Sequence, residues 1–311
     1  MFQIYLPIAE IPVNILLILL LGLVTGFLAG MFGIGGGFLA TPFLMFIGIP
    51  PAVAVSTSAN QIIASSVSGL MVHLRKGTVD MKMGLFLVIG GFIGSTFGVS
   101  LFRILQKAGQ IDLVIALVYV IFLGSISIMM LVDSIKTLST KKYNIVWEKK
   151  DSDRFERFLA WIDQLPWQIH FPKSDITVSV IVPTVLSVGI GILVSLMGIG
   201  GGFMMIPAMI YILRMPSAVV VGTSLFQIIF IASNATFLQA ITNNSVDIVL
   251  AFLMIISSSI GAQMGTRAGY KVDADNMRSF LALIIFLVCL KMFFSLFAAP
   301  EALYTVEVLK R

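Results

Sequence analysis

The sequence GMFGIGGGFLATP, residues 30–42, places five glycines and a proline inside a long apolar run. No Asp, Glu, Lys or Arg occurs between Ile11 and Val72. Each glycine inside a helix costs about 1 kcal/mol relative to alanine, so Gly35-Gly36-Gly37 predicts an unwound section between two helices. A backbone break in an apolar region is tolerated only where protein buries it or a polar cavity borders it. This stretch therefore predicts a buried break with a functional purpose.

The composition is typical of a polytopic membrane protein. Of the 311 residues, 58% are hydrophobic and 11% are charged, whereas a soluble domain is about 25% charged. A membrane helix needs about 20 mainly apolar residues, and the uncharged run is long enough for more than two. The apolar runs do not alternate as barrel strands do, so we expect an all-α polytopic membrane protein. The N-terminus lacks the basic start of a signal peptide, and the first apolar run is expected to be retained.

The glycine motif occurs twice in the chain. GIGGGF at residues 33–38 recurs identically at residues 198–203, and PPAVAVSTSANQII at 50–63 aligns with PSAVVVGTSLFQII at 216–229. A small residue at every fourth position precedes both copies: Gly22, Gly26 and Gly30 in the first, Ser187, Gly191 and Ser195 in the second. Such spacing is typical of close helix packing. We predict a first transmembrane repeat at 1–134, a connector at 135–175 and a second transmembrane repeat at 176–311.

Each repeat contains five hydrophobic segments. They are residues 12–34, 37–49, 51–72, 81–104 and 112–133, and residues 177–198, 202–214, 216–240, 247–267 and 277–297. The second segment of each repeat is short for a full crossing. The sequence leaves open whether these two segments cross the membrane or are half-length, re-entrant helices.

The loop charges indicate which way each repeat faces. An odd number of crossings per repeat would invert the second copy, and cytoplasmic loops are enriched in Lys and Arg. With the connector in the cytoplasm, three basic sites lie on the cytoplasmic side: residues 73–76, Arg214, and the group Arg267, Lys271 and Arg278. Arg103 and Lys107 disagree, because they fall outside. Three basic sites against one therefore favour inverted repeats, with broken helices at the two GIGGG motifs.

The connector has its own pattern. Within it, RFERFLAWIDQLPW at residues 154–167 places four apolar side chains at helical spacing beside two tryptophans. Two structures fit this pattern: a helix lying at the cytoplasmic interface, or a linker helix packed on the protein.

Paired interruptions at matching positions of two repeats indicate the substrate site of a transporter. Free amides at a helix start, and successive glycine amides, attract an anion, although unwound carbonyls could equally bind a cation. Gln61 and Gln227 follow the breaks, and a glutamine at membrane depth is costly unless it faces the bundle interior. The predicted substrate-binding residues are Gly35, Gly36, Gly37, Thr57, Ser58, Asn60, Gln61, Gly200, Gly201, Gly202, Thr223, Ser224, Gln227 and Asn234.

We expect other polar residues to have structural roles. Asp80 and Asp247 stand at segment starts, where we expect them to be solvated or to cap helices. No hydrolase, P-loop or dinucleotide-binding motif occurs in a suitable context, so we expect no enzyme activity and no cofactor. With a single cysteine, Cys289, and two histidines far apart in sequence, we expect no metal site. The expected partners are a small anionic substrate and the lipid bilayer, with no nucleic acid; a homodimer and a coupling ion, H+ or Na+, are left open.

At these motifs the sequence resembles the sulfite exporter TauE/SafE family. The resemblance rests on GLVTGFLAGMFGIGGGFLATP with STSANQ in the first repeat, and on GILVSLMGIGGGFMMIP with GTSLFQ in the second. It covers nearly the whole chain, although the connector is longer than the family implies. The resemblance implies a secondary permease for small sulfur-containing anions such as sulfite, sulfoacetate or related sulfonates, usually an exporter.

The function expected from the sequence is alternating-access transport of such an anion across the inner membrane of a bacterial or archaeal cell. The alternatives are an anion channel, a transporter of another small solute, or a membrane scaffold. The sequence does not indicate which anion is moved, in which direction or by which gradient.

Overall fold

The computed structural model describes residues 3–32, 37–143, 162, 164–269 and 274–297. Its helices are α1 Ile15–Phe32, α2 Gly37–Phe46, α3 Pro51–Arg75, α4 Met81–Lys107, α5 Ile111–Tyr143, α6 Ile181–Met197, α7 Gly202–Tyr211, α8 Ser217–Leu238, α9 Ile248–Gly269 and α10 Ala274–Phe297. A π-helical turn, Gln239–Asn243, extends α8. Four strands of four residues each form two antiparallel hairpins: β1 Gln3–Leu6 with β2 Ile11–Asn14, and β3 Gln168–Phe171 with β4 Ile176–Ser179.

The predicted all-α polytopic class is confirmed. Within the described residues, four helical stretches are long and apolar enough to cross a membrane: Met81–Lys107, Ile111–Leu131, Val219–Asn243 and Ile248–Ala268. The remaining apolar helices are shorter. α6 ends at Met197 and α7 begins at Gly202, so the second GIGGG motif separates two helices. In the first copy, α1 ends at Phe32 and α2 begins at Gly37, and the residues between them lie outside the described part of the chain.

The chain forms two compact units. The first comprises Met1–Ile115 and Val146–Asp273, and the second comprises Ala116–Ile145 and Ala274–Arg311. In the second unit, α5 and α10 approach closely, because the Cys289 thiol lies 3.5 Å from the carbonyl oxygen of Val120. The two predicted broken helices and the predicted site residues all belong to the first unit.

Helices of the first unit pack reciprocally between the two predicted repeats. α1 packs along α9, α4 packs along α6, and α3 packs along α8. Small residues allow the first two contacts, since a Cβ at Gly26 would collide with the backbone of Ser258, and one at Gly94 with that of Val188. Close backbone approach at small residues is the usual basis of helix association in membranes. The first helix of each repeat is thus joined to the fourth helix of the other.

The two short helices double back rather than continue across the unit. α2 packs against the first half of α3, because Thr41 Oγ1 lies 2.6 Å from Ser58 Oγ. Its C-terminal Leu44 shares a buried cluster with Leu6 of the first hairpin and Ile18 at the start of α1. α6 and α7 are arranged in the same way, because one buried cluster contains Phe171, Val182, Met209 and Leu213. In each pair the start of the long helix and the end of the short helix therefore lie together.

The structure departs from the predicted segments in three places. The first segment of each repeat begins as a strand, at Ile11–Asn14 and Ile176–Ser179. The fifth segment, predicted at 112–133, continues as helix α5 to Tyr143, inside the range assigned to the connector. The second hairpin also starts within that range, at Gln168. Of the helix predicted at 154–167, residues 154–161 and 163 lie outside the described part of the chain; Ile162 is helical, and residues 164–167 are not.

Candidate functional site

The starts of α2 and α7 meet inside the first unit. Phe38 and Phe203 occupy the same place in the two GIGGGF copies, and their rings stack 4.8 Å apart and 10° from parallel. A Cβ added to Gly37 would lie 2.8 Å from the carbonyl oxygen of Gly198, so the backbones of the two motifs touch. The starts of α2 and α7 therefore adjoin each other.

The second break requires glycine for conformational reasons. Gly198, Gly200 and Gly201 have φ of +64°, +80° and +66°, a region that residues with a Cβ rarely adopt. Gly198 N donates to Val194 O at 2.8 Å and closes α6, and Gly202 N donates to Gly200 O at 2.7 Å. No side chain caps the start of α7. Within the described part of the chain, the buried amides of Gly200 and Gly201 donate to no protein atom.

Ser58 and Ile62 of α3 border the meeting point. Ser58 Oγ lies 3.4 Å from Gly198 O and is also bonded to Thr41. The side chain of Ile62 fills the space that a Cβ would need at both Gly37 and Gly200. Of the predicted residues, the structure thus brings Ser58 together with Gly37, Gly200, Gly201 and Gly202. Thr41 and Ile62 were missed, although Thr41 stands beside the repeated proline and Ile62 beside the repeated glutamine.

Thr57 and Thr223 hold the starts of helices that belong to the opposite repeat. The amide of Asp247, before α9, donates to Thr57 Oγ1 at 3.1 Å. The amide of Asp80, before α4, donates to Thr223 Oγ1 at 3.0 Å. Both threonines are fully buried. Each threonine thus satisfies a helix-start amide that would otherwise be left without a partner in the interior.

The aspartates cap their own helices and are tied to the β-hairpins. Asp80 Oδ1 accepts from Met83 N at 3.0 Å, and Asp80 Oδ2 accepts from Ser174 Oγ at 2.6 Å. Asp247 Oδ1 accepts from Leu250 N at 3.1 Å, and Asp247 Oδ2 accepts from Ile8 N at 2.9 Å. The capping role expected for both aspartates is confirmed, but they are buried rather than solvated.

We call these two clusters interlocks. The first interlock is Ile8, Thr57 and Asp247, and the second is Ser174, Thr223 and Asp80. They lie at opposite ends of α3: Thr57 is near its start, whereas Gly222, beside Thr223, packs on Thr78 just beyond its end. Each interlock joins the two predicted repeats at one end of the unit.

Gln61 and Gln227 are buried in the bundle and each is anchored to the first helix of its own repeat. Gln61 Nε2 donates to Thr25 Oγ1 of α1 at 2.7 Å. Gln227 Nε2 donates to Ser187 Oγ of α6 at 2.7 Å. Both carbonyl oxygens are buried and have no hydrogen-bond partner among the described residues.

The remaining predicted residues are engaged elsewhere or lie outside the described part of the chain. Asn60 and Ser224 bond carbonyls of their own helices, at Thr57 and Val221. Asn234 donates to Ser95 Oγ of α4 at 2.7 Å. Gly35 and Gly36 belong to the residues that are not described. No group of three His, Cys, Asp or Glu side chains suited to a metal ion occurs among the described residues.

Short helices that start at glycine motifs and meet in the interior are typical of transporters, and comparison with known proteins agrees. A family model described as sulfite exporter TauE/SafE matches residues 18–292. The chain belongs to the TauE/SafE family. It is similar to two Bacillus subtilis proteins named probable membrane transporter proteins, YunE and YjnA. YunE is 24% identical over 88% of this chain and 96% of its own length, and YjnA is 26% identical over 88% and 98%.

A third relative comes from an archaeon. The probable membrane transporter protein MJ0441 of Methanocaldococcus jannaschii is 25% identical over 86% of this chain and 91% of its own length. No solved structure matches the chain. The TauE/SafE protein described here is thus an integral membrane protein of a transporter family, and its substrate is a small molecule.

Proposed function

We propose that this protein is a secondary transporter, a permease or exporter, that moves small sulfur-containing anions such as sulfite or organosulfonates by alternating access. The observation that carries the proposal is the meeting of α2 and α7 at the helix starts that follow the two glycine motifs, marked by the stack of Phe38 on Phe203. Broken helices that meet from two repeats are the usual substrate site of secondary transporters. Membership of the family supports the substrate class.

An anion suits this place for electrostatic reasons. α2 and α7 both begin at the meeting point, at Gly37 and Gly202, so the positive ends of two helix dipoles face it. The buried amides of Gly200 and Gly201 are donors without a protein acceptor among the described residues. We propose that the oxygens of the substrate accept hydrogen bonds from these amides and from those of Gly35, Gly36 and Gly37.

Side chains of α3 and α8 complete the proposed site. Ser58 borders the breaks. Gln61 and Gln227 are buried, and in the sequence they directly precede Ile62 and Ile228. Thr57 and Thr223 are committed to the interlocks, so we propose that they act on the opening of the two ends more than on the substrate itself. Alternating access requires that one interlock opens while the other stays closed.

The packing indicates which helices would move together. α1 and α9 are joined by small residues, as are α4 and α6, so each pair would move as one piece. We propose that these pairs rock about the meeting point in the inner membrane of a bacterial or archaeal cell, with the connector in the cytoplasm. The protein would not change the substrate chemically, so it would not be an enzyme.

Flux into proteoliposomes tests the proposal. Purified protein should carry at least one of radiolabelled sulfite, sulfate, sulfoacetate and taurine in a saturable manner. Gln61→Ala and Gln227→Ala should each reduce this flux without reducing the amount of inserted protein. No flux of any of these compounds by folded protein would contradict the substrate class, and full activity of the double variant would contradict the assigned glutamines. Flux that never saturates would indicate a channel.

A further inference from the structure

Two buried carbonyl oxygens in this protein lack the donor that they need. Gln61 and Gln227 are 0% and 1% exposed, and the Oε1 atom of each has no partner among the described residues. A buried acceptor without a donor is destabilising, because it loses its hydrogen bonds to water and gains nothing in return. The two glutamines occupy equivalent positions in STSANQII and GTSLFQII, so the same unfavourable arrangement is present twice.

The orientation of the two amides is fixed by their neighbours. Thr25 Oγ1 donates its proton to Leu21 O at 2.7 Å, so it can only accept from Gln61. Ser187 Oγ donates to Leu87 O, so it can only accept from Gln227. Rotating either amide would place two acceptors against each other. The nitrogen of each glutamine is therefore the anchored atom, and the oxygen is the one left free for a ligand.

Gln61 lies on α3 within one helical turn of the residues that border the starts of α2 and α7, and Gln227 occupies the equivalent position on α8. Gln61 directly precedes Ile62, whose side chain packs on Gly37 and Gly200, and follows Ser58, which lies 3.4 Å from Gly198 O. The glycine amides supply donors, and the glutamines supply acceptors. A fully deprotonated anion satisfies only the donors, and its oxygens would repel the carbonyl oxygens.

Resting on the transport function proposed above, we infer that the substrate is an oxyanion that carries its own hydrogen-bond donor, and that Gln61 and Gln227 select it through that donor. The O–H of hydrogen sulfite and a hydroxyl group on an organosulfonate share this chemistry. A site built to bond a substrate hydroxyl discriminates strongly against the analogue that lacks it, because the acceptor is then left unpaired.

A matched pair of ligands tests the inference on the full-length protein in detergent. 2-Hydroxyethanesulfonate and ethanesulfonate differ by one hydroxyl group, and their Kd values are compared by titration calorimetry, with sulfite as a further ligand. We expect the hydroxylated anion to bind about tenfold more tightly, the factor that one net hydrogen bond supplies. The preference should fall to about twofold in the double variant Gln61→Met/Gln227→Met, because methionine is unbranched and has no strong acceptor.

Two controls separate the outcomes. Ser68 lies on the same helix as Gln61, and among the described residues its hydroxyl bonds only the Ala64 carbonyl, so Ser68→Ala should keep the full preference. If the methionine variant does not fold, Thr25→Val with Ser187→Ala retains both glutamines, releases their anchors and should also weaken the preference. Equal binding of the two sulfonates by wild-type protein would overturn the inference and leave the transport proposal standing, as would a preference that survives in the double methionine variant. Binding of neither sulfonate and no sulfite would overturn both.

Discussion

The two interlocks perform the same task with different donors. In both, the amide of a capping aspartate donates to a threonine of the opposite repeat. In the first interlock the second carboxylate oxygen is held by a backbone amide, that of Ile8. In the second it is held by a side chain, the hydroxyl of Ser174. The residue equivalent to Ser174 in the first hairpin is Ala9, and that equivalent to Ile8 is Lys173.

This difference shows that each end must keep a hydrogen-bond donor for the second carboxylate oxygen, whichever group supplies it. A buried carboxylate needs a donor for each oxygen, but either backbone or side chain can supply it. The first interlock is reinforced by a second contact between the repeats, Ser56 Oγ to Ser245 Oγ at 2.7 Å. The second interlock has Gly222 against Thr78 at the corresponding place. The first end can therefore be cross-linked by a disulfide at the Ser56 and Ser245 positions. The second end can be weakened by removing one side-chain donor, that of Ser174.

Locking the first end should have the largest effect. In a Cys289→Ser background, Ser56→Cys with Ser245→Cys replaces a pair of hydroxyls that already touch, a separation that a disulfide can span. Oxidation should reduce transport in proteoliposomes to the level of empty vesicles, because the first interlock can no longer open. A reducing agent should restore it, and neither single cysteine variant should respond. Undiminished transport by the oxidised, cross-linked protein would show that this end does not move.

Removing either carboxylate should have the next largest effect, and a similar one at both ends. Asp80→Ala and Asp247→Ala each lose a helix cap and leave buried donors unpaired, which costs about 3 kcal/mol. Thermal unfolding in detergent measures the loss as a lower Tm. A large difference between the two variants would mean that the interlocks are not energetically equivalent.

Changing only the hydrogen-bond donor in the hairpin should affect stability differently at the two ends. Ser174→Ala leaves Asp80 Oδ2 without its donor and should destabilise the protein by about 2 kcal/mol. The reciprocal change Ala9→Ser leaves the Ile8 amide in place and should alter stability by less than about 1 kcal/mol. Both values are read from the same unfolding measurement, and equal effects would contradict the assignment of Ser174 as a structural donor.

The sequence predicts the second break well and the hairpins poorly, for physical reasons. Three consecutive glycines are incompatible with a stable helix, so their position reveals the break without any tertiary information. The strands have four residues each, too few for a periodic signal to emerge. A signal was nevertheless present, because QIYLP at residues 3–7 and QIHFP at 168–172 have the same spacing as the glycine motifs.

The polar residues illustrate a second limit. The sequence shows that Thr57 and Thr223 are polar at membrane depth, which predicts an interior position, but it does not show which neighbour they meet. In the structure Thr57 meets the amide of Asp247, almost two hundred positions later in the chain. Thr223 meets the amide of Asp80, which belongs to the other repeat. Partners of this kind depend on the packing of whole helices, so a single sequence cannot supply them.

Counterflow of sulfite tests the central claim, that the two repeats alternate about a substrate held where their glycine breaks meet. Proteoliposomes loaded with unlabelled sulfite should take up labelled sulfite faster than empty ones. Gly201→Val should abolish this uptake, because Gly201 has φ of +66° and a Cβ there would lie 2.8 Å from Ile190 Cγ2, whereas Ser68→Ala should retain it. Unsaturated flux without acceleration, or full counterflow in folded Gly201→Val protein, would contradict the account.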